Sequence, residues 1–148
     1  MTQPAITPAH ERLLPKVNDT NRPFWTGGSD GRLHVQYCTA CARWQLPSGS
    51  QCASCGGAPE FRPVSGDGTI FTYTTNHQPF HPNIPPPNLI AVVTLAEQDD
   101  LRLMTNLIDC TEDEIEIGDA VRVRFEDHGE VFYPVFELAS ASSSTERQ

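Results

Sequence analysis

CTACARWQLPSGSQCASC, residues 38–55, sets two C-x-x-C pairs, Cys38 with Cys41 and Cys52 with Cys55, ten residues apart. Each C-x-x-C reverses the chain so that both sulfurs point the same way. Two such knuckles offer one ion four thiolates at roughly 2.3 Å, the closed tetrahedral coordination of structural zinc, with no position left for substrate. A metal held this way supports a fold. Thiolate zinc in small modules contributes on the order of 10 kcal/mol of folding free energy. The stretch therefore reads as a zinc ribbon.

Other uses of four cysteines fit less well. Disulfides need an oxidising compartment, and Met1 to His10 show neither a basic region nor an apolar one of the kind that directs secretion. The expected compartment is the reducing cytoplasm. A thioredoxin-like dithiol needs a βαβ context that the flanking sequence lacks. Iron bound in the rubredoxin manner is the minor alternative, because Gly56 follows Cys55 as that geometry prefers whereas Ala42 follows Cys41. Cys110, the fifth cysteine, has no paired base nearby and reads as a small buried thiol.

The chain has 148 residues, a net charge of −9 and a pI near 4.8. Residues 65–138 hold fourteen Asp or Glu against Arg102, Arg122 and Arg124, and Lys16 is the one lysine in the whole chain. Nucleic-acid affinity comes mostly from Lys and Arg on phosphates, so this balance argues against a generic nucleic-acid role. No apolar run is long enough to span a membrane.

Four segments follow from the punctuation. Residues 1–31 carry helix signals and form an N-terminal arm: Thr7-Pro8 opens one short helix that Pro15 ends, and Asp19 or Thr20 caps a second through Pro23, Phe24 and Trp25 until Gly27-Gly28. Such an arm cannot bury Phe24 and Trp25 by itself, so it lies either on the chain's own core or on a partner. Residues 32–64 are the ribbon. Leu33, Val35 and Tyr37 alternate with His34 and Gln36 as a strand with His34 toward solvent, and Arg43 to Pro47 form a second strand. Trp44 either covers the metal site or anchors an interface.

Residues 65–138 read as all-β, with strands over 68–77, 89–96, 101–108, 120–126 and 131–138. Glu97 to Asp100 and Asp127 to Glu130 are tight polar turns, and Thr111 with Glu114 makes a capping box before Gly118. Three strands, a helical turn and two strands are the order of a five-stranded OB-fold barrel. Residues 139–148 have nothing to bury and are expected to be a disordered tail. The fold class is mainly β: short N-terminal helices, a rubredoxin-like zinc ribbon and an OB barrel.

Trp25, Gly31-Arg32-Leu33, Gln36-Tyr37-Cys38, both knuckles, Gly66 to Ile70 and Ile117 to Val121 together resemble the family that joins a rubredoxin-like zinc ribbon to an acyl-CoA-associated OB-fold, domain of unknown function thirty-five. The resemblance covers about residues 20–138. It implies an accessory subunit, itself not an enzyme, in a hetero-oligomer with a thiolase-superfamily enzyme. That enzyme would be a thiolase or a lipid-transfer-protein-like aldolase of steroid side-chain breakdown, with acyl-CoA at the shared interface. Only Cys38, Cys41, Cys52 and Cys55 carry a role across, as metal ligands. Ala42, and Ala53 where proline commonly follows the third cysteine, depart from the family pattern.

No nucleophile elbow, phosphate loop or H-E-x-x-H helix is present, so no catalytic residue is assigned. His77 and His81 lie on a segment, His77 to Pro87, stiffened by five prolines, which suits docking better than proton transfer. Phe24, Trp25, Trp44, His77, Phe80 and His81 are accordingly the expected contacts with a partner or acyl-CoA. A free-standing acyl-CoA-binding protein, using Arg32, Arg43 and Arg62, is the alternative, and an OB-fold nucleic-acid binder stands behind it.

Overall fold

The backbone alternation that should make 33–38 a strand does so, and it also delivers the first cysteine. In the computed structural model, which describes residues 5–7, 14–46, 48–79 and 86–139, Leu33–Cys38 is β1, with Leu33 and Val35 fully buried. It lies between β2 (Arg43–Gln45) and β3 (Glu60–Val64), antiparallel to both. Strand β3 has no apolar alternation, and Pro63 lacks a backbone donor, which a strand tolerates at a sheet edge.

Two polar positions on β1 depart from the expected outward alternation. His34 is half-buried, and its Nδ1 is enclosed where the backbone passes Gly27. Gln36 is only 4 % exposed. Its carboxamide accepts the Gly49 N–H at 2.8 Å and donates to the Gly49 carbonyl at 2.9 Å, so burial leaves it satisfied.

The barrel strands are β4 (Asp67–Asn76), β5 (Asn88–Leu95), β6 (Arg102–Leu107), β7 (Ala120–Asp127) and β8 (Phe132–Leu138). Each lies within a residue or so of its expected bounds. They close in the order β4-β5-β6-β8-β7, with β7 returning to β4, which is the OB arrangement. Strict alternation explains the closure: Leu89, Ala91, Val93 and Leu95 of β5 all point inward. Between β6 and β7 the Glu112–Glu114 turn carries the expected capping box, with the Thr111 N–H donating to Glu114 Oε1 at 2.7 Å.

The N-terminal arm is where expectation and structure part. Helix α1 (Arg22–Thr26) exists, but its N-cap is Asn21 rather than Asp19 or Thr20, with the Asn18 carboxamide accepting from the Thr20 and Asn21 N–H groups. A 3₁₀ turn, Gly27–Asp30, continues it. Glycine is required there by contact: a Cβ at Gly28 would lie 2.4 Å from Phe132 Cβ and 2.6 Å from the Phe125 ring. Phe24 is 5 % exposed and belongs to the core shared with Leu33 and Phe125. It is therefore corrected from a partner contact to a core residue, because α1 packs on its own barrel. Residues 8–13, where the first helix was expected, lie outside the described residues. Ile6, just before them, is extended and bridges β7, its N–H donating to the Phe125 carbonyl at 2.8 Å. The expected tail, apart from Ala139, also lies outside the described residues. Among them, no helix is long and apolar enough to cross a membrane.

Candidate metal centre

Strand β1 ends on Cys38, and the chain then turns through Cys41 into β2. The second knuckle, Cys52 to Cys55, folds back against it. All four Sγ atoms lie within 4.8 Å of one another. Cys38 to Cys55 is 3.5 Å and Cys41 to Cys52 is 3.6 Å. A tetrahedron of sulfurs at roughly 2.3 Å from a central ion has edges of about 3.8 Å, so the donor set fits one thiolate-bound metal. Among the described residues it is the one cluster of His, Cys, Asp or Glu that does.

Backbone geometry prepares the donors. In the first knuckle the Ala42 N–H donates to the Cys38 carbonyl at 2.7 Å, and in the second the Gly56 N–H donates to the Cys52 carbonyl at 2.9 Å. The Cys52 thiol is brought down to about 6, chiefly because backbone N–H groups of Cys55 and Ser54 face its sulfur. Cys41 is pushed up to about 12, first by burial and then by hydrogen bonding to Cys52.

Equivalent positions of the two knuckles need the same left-handed backbone. Ala42 has φ 58° and Gly56 has φ 78°. An L-residue there costs about 1–2 kcal/mol, and nothing lies within 4 Å of a Cβ built at Gly56. Gly56→Ala is therefore expected to cost about 1 kcal/mol by backbone strain alone, while Ala42→Gly shifts stability the other way by less, since glycine adds unfolded-state entropy. Chemical denaturation of the metal-loaded protein checks both signs.

The aromatic neighbours of the ribbon are only partly available for docking. Trp44 is half-buried, its ring edge-on to Tyr37 at 4.8 Å, and Arg62 covers the other ring at 4.3 Å. Trp25 is half-buried between Phe24 and Tyr133. Arg43 is paired with Asp100 and Arg62 with Glu60. Sequence reasoning missed Gln98 and Asp100, which hold the ribbon to the barrel. Their signal, two polar residues in a hairpin turn, is the same one that solvent-facing turns give.

His77 is exposed at the rim of a cleft of about 790 Å³, far along the sequence from the sulfurs, while Phe80 and His81 lie outside the described residues. The cleft also takes in Thr75, Asn106 and Cys110, whose thiol burial pushes up. Its described lining carries Asp109, Glu112, Asp113 and Glu126 and neither Lys nor Arg. Such a surface opposes the phosphates of CoA.

Comparison with known proteins adds independent support. The family model for the C-terminal OB-fold domain of ChsH2 matches residues 61–126. A chain of the solved Ltp2-ChsH2(DUF35) aldolase is 34% identical, with a TM-score of 0.76, and the match covers 85% of this chain and 99% of that one. A DUF35 protein of unknown function from Sulfolobus solfataricus, 15% identical with a TM-score of 0.57, covers 81% of this chain and 85% of its own, and shares the fold. The probable enoyl-CoA hydratase alpha subunit of Thermomonospora curvata is 34% identical over 130 residues, 86% of this chain. This chain spans 40% of the length of that relative.

Proposed function

Since this chain belongs to the ChsH2-type DUF35 family, we propose that it is a non-catalytic partner subunit of a thiolase-superfamily enzyme acting on acyl-CoA thioesters, steroid side chains among them. The observation that carries this reading is the near-complete match to the DUF35 chain of an aldolase assembly. Zinc held by Cys38, Cys41, Cys52 and Cys55 would supply structure rather than chemistry, because four thiolates leave the ion no open position. The free-standing acyl-CoA binder is less well supported, since Arg43 and Arg62 already face carboxylates. The same pairing, with Arg122 and Arg124 on Glu137, disfavours nucleic acid.

Docking is assigned to the outer face of β4, β5 and β6 rather than to the buried Phe24. Met104 is 71% exposed opposite Val92, Val92 is opposite Thr72, and Phe71 beside it is 46% exposed under the Arg102 guanidinium. Exposed apolar side chains clustered like this suit a protein interface. The half-buried Trp25 and Trp44 and the exposed His77 remain rim contacts in this reading, with Phe80 and His81 alongside His77 in the chain. Co-purification with the thiolase-fold subunit, in the presence of acyl-CoA, tests it. Met104→Asp is expected to weaken association about thirtyfold or more, an effect of hot-spot size. Unchanged association would remove this face from the interface, and turnover of a CoA thioester by this chain alone would sink the accessory reading.

A further inference from the structure

Gln98 sits in the turn between β5 and β6, yet its carboxamide acts as a strand partner for the ribbon. The Trp44 N–H donates to Gln98 Oε1 at 2.9 Å, and Gln98 Nε2 donates to the Trp44 carbonyl at 3.0 Å. Gln98 Nε2 also donates to Asp100 Oδ1 at 2.8 Å, while the Arg43 guanidinium donates to Asp100 Oδ2 at 2.6 Å. Together the Gln98 amide and the Arg43 guanidinium hold the Asp100 carboxyl below its ordinary range. Strand β2 is at the edge of the ribbon sheet, with β1 on its other side, so this side-chain clasp closes its outward edge.

Arg43 and Trp44 directly follow Cys41 and Ala42. Ala42 holds φ 58°, a region that side chains other than glycine leave when nothing constrains them. The sulfur cage supplies that constraint, since Cys41 directly precedes Ala42 and the carbonyl of Cys38 holds the Ala42 N–H at 2.7 Å. Ala42 in turn sets the direction in which β2 departs, and with it the position of both groups that grip the hairpin.

We propose that the Gln98–Asp100 clasp couples metal occupancy of the ribbon to the β5–β6 hairpin of the barrel. Loss of the metal lets Ala42 relax, turns β2 away from Gln98 and frees the hairpin. Binding and clasping are then linked, and linkage is reciprocal: whatever the metal gives to the clasp, the clasp gives to metal affinity.

Reciprocity supplies a test with the full chain that needs no enzymatic activity. Zinc affinity of Gln98→Ala is measured by competition with a chromophoric chelator, and hydrogen exchange is followed with and without zinc. The variant is expected to bind zinc about fivefold or more weakly although Gln98 contacts no sulfur. With zinc bound, its Leu95 and Leu101 amides, whose bonds run to the Leu101 and Gln98 carbonyls, are expected to exchange about tenfold faster than in the native chain. Stripping zinc from the native chain should free the same two amides while leaving Ile108 and Asp127, bonded to the Phe136 and Ile6 carbonyls at the cleft end of the barrel, protected. Gln98→Glu keeps an acceptor for the Trp44 N–H but turns an oxygen on the Trp44 carbonyl and sets a second carboxylate against Asp100, so its affinity should fall at least as far as that of the alanine variant, and it serves where the alanine variant fails to fold. Zinc affinity within twofold of native, or Leu95 and Leu101 opening no more than Ile108 and Asp127 on stripping, overturns the proposal.

Discussion

Cys38→Ser is expected to abolish stoichiometric metal binding and to unfold the ribbon. Cys38 is 2 % exposed and ends β1, the central strand of the ribbon sheet, and the same strand sends Leu33 and Val35 into the core shared with the barrel. Structural zinc contributes roughly 10–16 kcal/mol in small modules, against about 5–15 kcal/mol of net stability for a typical domain. Even part of that loss exceeds what the ribbon's short strands retain. The melting temperature is therefore expected to fall by about 10 °C or more, at roughly 2–4 °C per kcal/mol for a chain of this size. Cys110→Ser provides the control, because Cys110 lies at the cleft and outside the sulfur cluster. It should keep one metal per chain. Elemental analysis showing full metal content in Cys38→Ser would overturn the four-sulfur assignment.

Features whose physics is local were legible in the sequence. The knuckles need only four cysteines at fixed spacing, the capping box needs Thr111 and Glu114, and the barrel strands need alternation bounded by Asp99-Asp100 or His128-Gly129. Each of these signals lies within a few residues, and the structure places each within a residue or so of expectation. Features completed by a distant partner were not legible. Glu60–Val64 becomes β3 only because β1 offers it an edge. Gln36 can be buried because Gly49, thirteen residues on, supplies its hydrogen bonds. Phe24 and Trp25 show the same limit for the site: a five-residue helix can state that it must be covered, but only the barrel surface with Phe125 and Tyr133 decides what covers it.

Barrel closure sets the other large effect, Phe136→Ala. Strand β8 lies between β7 and β6, pairing Phe136 with Val123 on one side and with Leu107 on the other. Its carbonyl accepts the Ile108 N–H at 2.9 Å, and nearby Thr105 Oγ1 donates to the Pro134 carbonyl at 3.2 Å. The ring itself is fully buried. Removing it deletes the largest fully buried side chain at the parallel seam, where short pairing with β6 leaves little else to hold the barrel shut. Burial of this kind costs about 3–5 kcal/mol when a phenylalanine is cut to alanine. Phe71→Ala removes the same ring from an outer face, where it is 46% exposed and covered by Arg102, and is expected to cost about 1 kcal/mol or less. Urea unfolding of the two metal-loaded variants separates inside from outside: the midpoint should fall several times further for Phe136→Ala, with an unchanged m-value showing that both unfold from the same closed barrel. Equal shifts would mean that the seam is not where the barrel's stability is concentrated.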